Sequence, residues 1–222
     1  MLFLAVFCGF LAEYQLEHVI EHNREKQFIQ SFIEDLKTDT AAIRPNLAFR
    51  KQKLERMDSL MFLLSKGQIR GHENELYYFG RTLIRNIWFQ SNDRTITQLR
   101  NSGSLRLIRN EQAADSIIAY QKFVDIINVA QVDERGERLN SYPILSQIFN
   151  PFVLDSMVTI DGISRPTNNP SLRSYDPGLH QELGFQVHQI KGSTFIIQSR
   201  LEILNKKAEN VISFLKEEYH LK

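Results

Sequence analysis

The chain has 222 residues, of which 42% are hydrophobic and 24% are charged, with 27 Lys and Arg against 26 Asp and Glu. This composition is that of a globular protein with a sizeable core, and it excludes bulk disorder. The near-neutral charge argues against nucleic acid as a partner, because nucleic-acid binding usually requires a basic surface. Cys8 is the single cysteine, so no disulfide can form within the chain.

The first stretch, Leu2 to Ile43, is predicted to form one long helix that becomes amphipathic and charged from Glu13. Its apolar run, Leu2 to Ala12, is shorter than the about 20 residues that span a bilayer. The run also lacks the basic start and the cleavage site of a secretory signal. Three interpretations remain open: an incomplete membrane helix, a buried core helix and an interfacial helix. Full hydrophobicity from the first residue favours a partial transmembrane anchor over residues 1–13, with a start codon assigned too late.

From residue 14 the pattern predicts a helical bundle domain that extends to residue 222. Apolar residues recur after Ala12 at steps of three and four, which indicates one buried helical stripe. The stripe comprises Leu16, Val19, Ile20, Phe28, Ile29, Phe32, Ile33, Leu36 and Ile43. Pro45 is expected to end this helix, because the residue before a proline is disfavoured in the α conformation.

Four further helices are predicted before residue 150. Each is bounded by a proline, a glycine or a cluster of residues that favour caps and turns. They run from Asn46 to about Leu64, from about Glu73 to Phe89, from Arg94 to Asn101, and from near Asn110 to Phe149. Gly136 is expected to interrupt the last of them, so that Leu139 to Phe149 forms a separate piece.

Residues 150–178 are rich in proline and glycine and are expected to form an irregular excursion, with a short helical or extended piece near Phe152 to Ile160. The last helix follows it and has a heptad seam, which is typical of coiled coils and bundles. The seam comprises Leu183, Val187, Ile190, Thr194, Ile197, Leu201, Leu204, Ala208, Val211 and Leu215. Because the flanking charges do not alternate, we expect this helix to pack within the chain, along the stalk of residues 14–43.

Several motifs in the first half resemble a known sequence type. They are the stretch from Phe10 to Lys26, the Glu34-Asp35-Leu36-Lys37-Thr38-Asp39 segment, and the turn from Leu99 to Asn110 with its Ser102-Gly103 pair. Over about residues 5–125 the chain is similar to an uncharacterised family of small membrane-anchored helical-bundle proteins, a domain of unknown function found mainly in Bacteroidota.

The resemblance implies topology and no reaction. It implies a single-pass protein of the inner (cytoplasmic) membrane, with a cytoplasmic N-terminus and an extracytoplasmic bundle. Members of the family usually carry a basic stretch and further apolar residues before the equivalent of Leu2, so the resemblance also implies that the anchor is incomplete here.

His18 and His22 are a weak candidate for a metal site. Their i, i+4 spacing places both imidazoles on one helix face, as zinc sites on helices require. Glu21 and Glu25 form a similar pair on a neighbouring face. Two histidines supply half of a site and the sequence shows no second clear pair, so a solvated or membrane-surface stripe is the favoured interpretation and no metal or other cofactor is expected.

Arg100, Arg106 and Arg109 flank the Ser102-Gly103 turn and form a speculative anion-binding site. Guanidinium groups near turn amides can hold a carboxylate or a phosphate bidentately. The alternative is that these arginines pair with acids of the chain.

The sequence therefore predicts an all-α protein with a long N-terminal helix, membrane-derived at its start, that continues into an antiparallel bundle of four to five helices. The chain shows no recognised catalytic motif, which favours a non-enzymatic, membrane-anchored protein that acts as an extracytoplasmic sensor or ligand-binding module. The alternative is a membrane-associated scaffold or assembly factor that forms homo-oligomers or binds a protein partner. A metal-dependent enzyme is the third hypothesis.

Overall fold

The computed structural model describes residues 2–67 and 69–221, and the side chains of residues 6–67 and 69–221. It is 79% helical, which confirms the all-α fold class. The helices are α1 (Leu2–Lys66), α2 (Glu73–Leu83), α3 (Arg94–Asn101), α4 (Glu111–Asn140), α5 (Tyr142–Ile148), α6 (Pro151–Ser156) and α7 (Pro177–Glu218), with a 3₁₀ turn at Ser104–Leu107. A two-residue hairpin pairs β1 (Val158–Thr159) with β2 (Gly162–Ile163) in antiparallel fashion.

The predicted anchor lies partly outside the described residues, because Met1 and the side chains of residues 2–5 belong to the part of the chain that is not described. The helix that carries it does not end where the sequence predicts. α1 continues through Pro45 to Lys66, so the expected end at Ile43 and a separate helix from residue 46 are wrong. Proline has no amide hydrogen, so the Ala41 carbonyl loses the helical hydrogen bond that residue 45 would otherwise donate. Pro45 and Ala41 are both exposed, so water can bond this carbonyl instead.

The chain divides into two compact units. Unit 1 comprises Met1–Ala42, Gln90–Val124 and Ile203–Lys222, and unit 2 comprises Ile43–Phe89 and Asp125–Glu202. Each unit is assembled from segments that lie far apart in the sequence. Compact units of this kind are not by themselves separate domains, so one bundle domain over residues 14–222 stays a prediction.

In unit 1 the predicted stripe of α1 is only partly buried. Ile29, Phe32 and Leu36 are between 0% and 3% exposed, as the periodicity predicts. Leu16 and Val19 were expected on the same buried stripe, but they are 61% and 55% exposed. Apolar periodicity indicates a helix face and does not indicate whether another element covers that face.

In unit 2 the core is formed by apolar side chains of α1, α2, α5 and α7 and of the segments between helices. It comprises Met57, Leu60, Ile69, Leu76, Tyr77, Phe79, Leu83, Ile144, Leu145, Ile148, Phe149, Met157, Leu172, Leu183, Val187 and Ile190.

α2 ends at Leu83, so the predicted helix to Phe89 is six residues too long. Side chains of α4 bond the backbone that follows. Gln131 accepts from the Phe89 amide at 2.8 Å and donates to the Phe89 carbonyl at 3.0 Å, and Arg138 Nη1 donates to the Ile84 carbonyl at 3.1 Å. These contacts satisfy the Ile84 carbonyl and both peptide groups of Phe89 without a helix.

Gly136 does not interrupt α4, although an interruption is what the sequence predicts. The helix runs from Glu111 to Asn140, and Gly136 is an exposed residue within it. A glycine in a helix costs about 1 kcal/mol relative to alanine, which packing along a 30-residue helix can offset. The separate piece that follows is confirmed as α5, and α6 and the hairpin shorten the expected excursion.

The heptad prediction for the last helix is confirmed. Nine of the ten seam residues are fully buried, and Val211 is partly buried. Its packing along residues 14–43 stays a prediction, although within unit 1 Tyr219, just beyond α7, bonds to Glu25 of α1.

Candidate functional site

The N-terminal part of α1 exposes a large apolar surface. Val6, Phe10 and Leu11 are 67%, 68% and 45% exposed. Residues 6–12 carry no charged side chain, so this part of the helix is apolar on every side. Within the described residues, the length and apolarity that a membrane crossing requires do not occur together in any helix.

His18 and His22, the candidate metal ligands, follow this surface along α1. Their side chains contact Arg109 and Glu25 of the chain itself. Arg109 Nη2 lies 3.0 Å from Nδ1 of His18 and also pairs with Glu21. Arginine has only donors, so His18 Nδ1 must supply the lone pair that a metal ion would otherwise use. His22 Nδ1 lies 3.9 Å from Glu25. Across the described residues, histidine, cysteine and acidic side chains do not converge in a group of three or more that could hold a metal.

Glu25 connects three parts of unit 1. Its carboxylate is 3% exposed, and Oε1 accepts from the Arg109 amide at 2.8 Å and from the Tyr219 hydroxyl at 2.7 Å. Burial and the contact with Glu25 raise the pKa of Tyr219 above its ordinary value, so the phenol remains a donor at neutral pH. Glu25 thus fastens the turn before α4 and the end of α7 to α1.

The three arginines of the predicted anion site have different surroundings. Arg109 pairs with Glu21. Pairing with an acid of the chain is the alternative that the sequence left open, and the acid lies far from Arg109 in the sequence. Arg100 and Arg106 are exposed on either side of Gly103, whose φ of 64° is the left-handed conformation that glycine adopts readily. Anion binding by Arg100 and Arg106 stays a prediction.

Asp35 and Asp39 of α1 hold the loop before α3. Both are 1% exposed. Asp35 accepts from the Thr95 amide at 2.8 Å and therefore caps α3 from another helix, while Asp93 at the N-cap makes no side-chain cap. Asp39 accepts from the Asn92 amide at 2.6 Å. Sequence reasoning missed these roles, and the i, i+4 spacing of two acids on the buried side of an amphipathic helix was the available signal.

Asp39 also accepts hydroxyl bonds, from Tyr120 at 2.7 Å and from Ser91 at 2.5 Å. Burial raises the pKa of Asp39, and although the hydrogen bonds from Ser91, Asn92 and Tyr120 lower it, the net shift is upward. All these donors are neutral, so they stabilise the charge without supplying a counter-charge.

Unit 2 encloses an ionic network around Glu134 of α4. Glu134 and Arg50 are both 0% exposed, and Lys53 is 3% exposed. Glu134 accepts from Arg50 Nη1 at 3.3 Å, from Lys53 Nζ at 3.2 Å, from Asn86 Nδ2 at 2.7 Å and from Thr194 Oγ1 at 2.7 Å. Its carboxylate is therefore fully bonded.

The cations of this network outnumber the acid that they surround. Burial acts to raise the pKa of Glu134, but the charges of Lys53 and Arg50 outweigh burial and the net shift is downward. Burial is the main cause that lowers the pKa of Lys53 to about 8; the attraction of Glu134 offsets only part of this, and repulsion by Arg138 and Arg50 adds to the lowering. One carboxylate facing several cations is strongly stabilised, whereas each cation is only partly compensated.

The ionic network around Glu134 has a structural role. General acid–base or nucleophilic catalysis requires a side chain that can reach a substrate atom. Glu134 is enclosed, and all its acceptor positions are occupied by side chains of the chain itself. Its role is to join α1, α4 and α7 within unit 2.

Comparison with known proteins gives no relative. No protein-family model, no curated protein and no solved structure matches this chain.

Proposed function

We propose that this chain is a non-enzymatic helical-bundle protein that attaches to a membrane through the start of α1 and serves as a sensor or ligand-binding module. The observation that carries the proposal is the apolar surface around Val6, Phe10 and Leu11, on a helix whose later residues are buried in unit 1. A helix that is apolar all round requires an apolar environment.

A lipid bilayer provides that environment. Transfer of each large side chain such as Phe10 or Leu11 from water to hydrocarbon contributes about 1.5–3 kcal/mol. The charged residues that begin at Glu13 limit how far the helix can enter. Glu21 and Arg109 would then lie near the headgroups, where an exposed ion pair remains hydrated. An apolar start followed by charged residues supports partial insertion of α1 into the bilayer. The family that the sequence resembles implies that the bundle lies on the extracytoplasmic side.

Vesicle flotation tests the attachment. Wild-type protein should float with neutral phosphatidylcholine vesicles at high salt, and a variant carrying Phe10→Asp and Leu11→Asp should remain in the dense fraction. Phe62→Asp is the matched control, because Phe62 lies on the same helix and is 60% exposed. Wild-type protein that stays unbound, or a double variant that floats as well as wild type, would refute membrane attachment through α1.

Binding is a better interpretation than catalysis for unit 2. Glu134, the acid of unit 2 with 0% exposure, is saturated with internal bonds, whereas a cavity between α2 and α5 is lined mainly by apolar side chains. An apolar pocket with a few polar groups is typical of a site that binds a small molecule. Catalysis would require a polar catalytic group that can reach the ligand.

A scaffold that self-associates is the second candidate. It is favoured by exposed apolar side chains on α4, where Val129 and Val132 are 62% and 59% exposed one turn apart. Sedimentation equilibrium should then show a dimer that Val129→Lys with Val132→Lys converts to a monomer. Ile160→Lys, at the fully exposed tip of the hairpin, should leave the mass unchanged. A wild-type monomer at every concentration would rule out this candidate.

A further inference from the structure

A cavity of about 280 Å³ opens in unit 2 between α2, α5 and α6. Its walls are apolar and include Ile84, Leu145, Phe149 and Leu154. The volume lies just below the range for drug-sized ligands, which is about 300–1,000 Å³, and suits a smaller molecule.

One wall is held rigidly by a close approach of two elements. A Cβ on Gly80 would lie 2.5 Å from Cζ of Phe149, so only glycine allows the Phe149 ring to lie against α2. Phe149 is 1% exposed, and its ring centroid is 5.1 Å from that of Tyr77. The Tyr77 hydroxyl is fixed in turn, since it donates to the Ser171 carbonyl at 2.9 Å and accepts from the Asn150 amide at 3.1 Å. The cavity is therefore preformed by the core.

The side chain of Arg81 lines the cavity and places a guanidinium group beside its apolar walls. Nε of Arg81 is buried and has no hydrogen-bond partner among the described residues. Burial lowers the pKa of Arg81, and the charge of Arg85 lowers it further, yet an arginine remains protonated at neutral pH. Because Nε itself has no accessible surface, a ligand in the cavity would bond through the Nη groups of Arg81.

A second guanidinium group is fixed at the same cavity. Arg173 Nη1 donates to the Ser146 carbonyl of α5 at 3.1 Å, and the Arg173 amide donates to the Ile148 carbonyl at 2.9 Å. The remaining donors of Arg173 are available to a ligand at the exposed side of the cavity. No acidic side chain occurs among the described residues that line the cavity, so its charge is positive.

We infer that this cavity binds a small amphipathic carboxylate, a medium-chain fatty acid or an aromatic acid of similar size. The apolar part would occupy the space against Phe149 and Leu154, and the carboxylate would accept from Arg81 and Arg173. Arginine matches a planar carboxylate bidentately, and the apolar walls exclude a ligand that is polar throughout. This inference rests on the proposed ligand-binding function and states its ligand class.

Isothermal titration calorimetry of the full chain with sodium octanoate tests the site. Octanoate should bind saturably at one site. 1-Octanol, which has the same tail without the charge, should bind at least about tenfold more weakly, because it loses the charge-assisted hydrogen bonds. Acetate, which has the charge without the tail, should give no measurable binding.

Variants of the arginines locate the carboxylate. Arg81→Gln should weaken octanoate binding by about tenfold or more, and Arg173→Gln should weaken it by at least about threefold. Arg135→Gln is the matched control, because Arg135 is an exposed arginine of α4 that does not line the cavity, and it should change affinity by less than about twofold. Circular dichroism verifies folding, and if Arg81→Gln does not fold, Arg173→Gln decides alone.

Three results would overturn the inference: no saturable octanoate binding, equal binding of octanoate and 1-octanol, or wild-type affinity in folded Arg81→Gln and Arg173→Gln proteins. Failure here is distinguishable from failure of membrane attachment, because flotation depends on Phe10 and Leu11, and the calorimetric experiment depends on Arg81 and Arg173.

Discussion

Asp39 of unit 1 and Glu134 of unit 2 are buried to almost the same extent, at 1% and 0% exposure, but their pKa values move in opposite directions. Around Asp39 the donors are two hydroxyls and a peptide amide. Around Glu134 two of the donors are cations, Arg50 and Lys53. Burial penalises both charges, and only the acid with adjacent counter-charges, Glu134, overcomes the penalty. Hydrogen-bond number alone therefore does not predict the protonation of a buried acid.

The two units consequently respond differently to pH. The pKa of Glu134 is lowered in the folded state, so its contribution to stability is present above about pH 4.5 and is lost as pH falls through the folded pKa. The pKa of Asp39 is raised, so its contribution is present below about pH 3.8 and is lost as pH rises through the folded pKa.

Exchanging acid for amide at Glu134 should have the largest effect. Glu134→Gln leaves Arg50 and Lys53 buried without a counter-charge and should lower the free energy of unfolding at pH 7 by about 3–5 kcal/mol. Urea denaturation measures this. Glu137→Gln on the same helix is the control, since Glu137 is only partly buried and accepts one bond, from Ser193, so its loss should be under about 1.5 kcal/mol. Equal losses in the two variants would show that the cations of the network need no counter-charge.

The surplus of buried cations in unit 2 should make the free energy of unfolding depend on pH in the alkaline range. Burial lowers the pKa of Lys53 from 10.5 to about 8, so the unfolded chain binds more protons than the folded one between these values. Stability from this group should therefore rise with pH across that window, by up to about 3 kcal/mol. Denaturation of wild type and Lys53→Met at several pH values measures the difference, which would be absent if Lys53 titrated near 10.5 in the folded state.

Removal of the cap in unit 1 should have an intermediate effect. Asp35→Ala leaves the Thr95 amide at the start of α3 without its acceptor, and we expect a loss of about 1–2 kcal/mol. Hydrogen exchange should show faster exchange at the Thr95 amide. Glu34→Ala, an exposed neighbour on α1, serves as the control. Unchanged exchange at Thr95 would indicate that Asp35 does not cap α3.

The same acid-to-amide exchange in unit 1 should have the smallest effect. Asn at position 39 can still accept from the Asn92 amide and can donate to the Ser91 and Tyr120 hydroxyls, and it removes a buried charge that lacks a counter-charge. Asp39→Asn should change the free energy of unfolding at pH 7 by less than about 1 kcal/mol. Relative to wild type, the variant should gain stability as pH rises above about 3.8. A loss as large as that of Glu134→Gln would refute the contrast between the units.

Much of the helical content could be predicted from the sequence, and the misplaced boundaries have a common cause. Local signals indicated breaks at Pro45 and Gly136, but both lie at exposed positions where a long, packed helix tolerates them. The helix predicted to reach Phe89 ends at Leu83, because Gln131 and Arg138 bond the following backbone. These partners lie more than 40 residues away, so no local pattern could reveal them.

Candidate sites were harder to predict than helices. His18, His22 and Arg109 were recognised by residue type and spacing, and His18 and Arg109 prove to be neighbours although 91 residues separate them. The cavity at Arg81 and Arg173 was not predicted, since its walls come from segments that only the fold brings together.

The sequence by itself determined the all-α class, the apolar start of α1 and the heptad seam of α7, because composition and helical periodicity are properties of neighbouring residues. Only the tertiary structure decided which faces are covered and which charges meet. Glu134 lies 84 residues from Arg50 and 60 from Thr194, and the balance of burial against counter-charge that sets its protonation exists only once these residues are packed together.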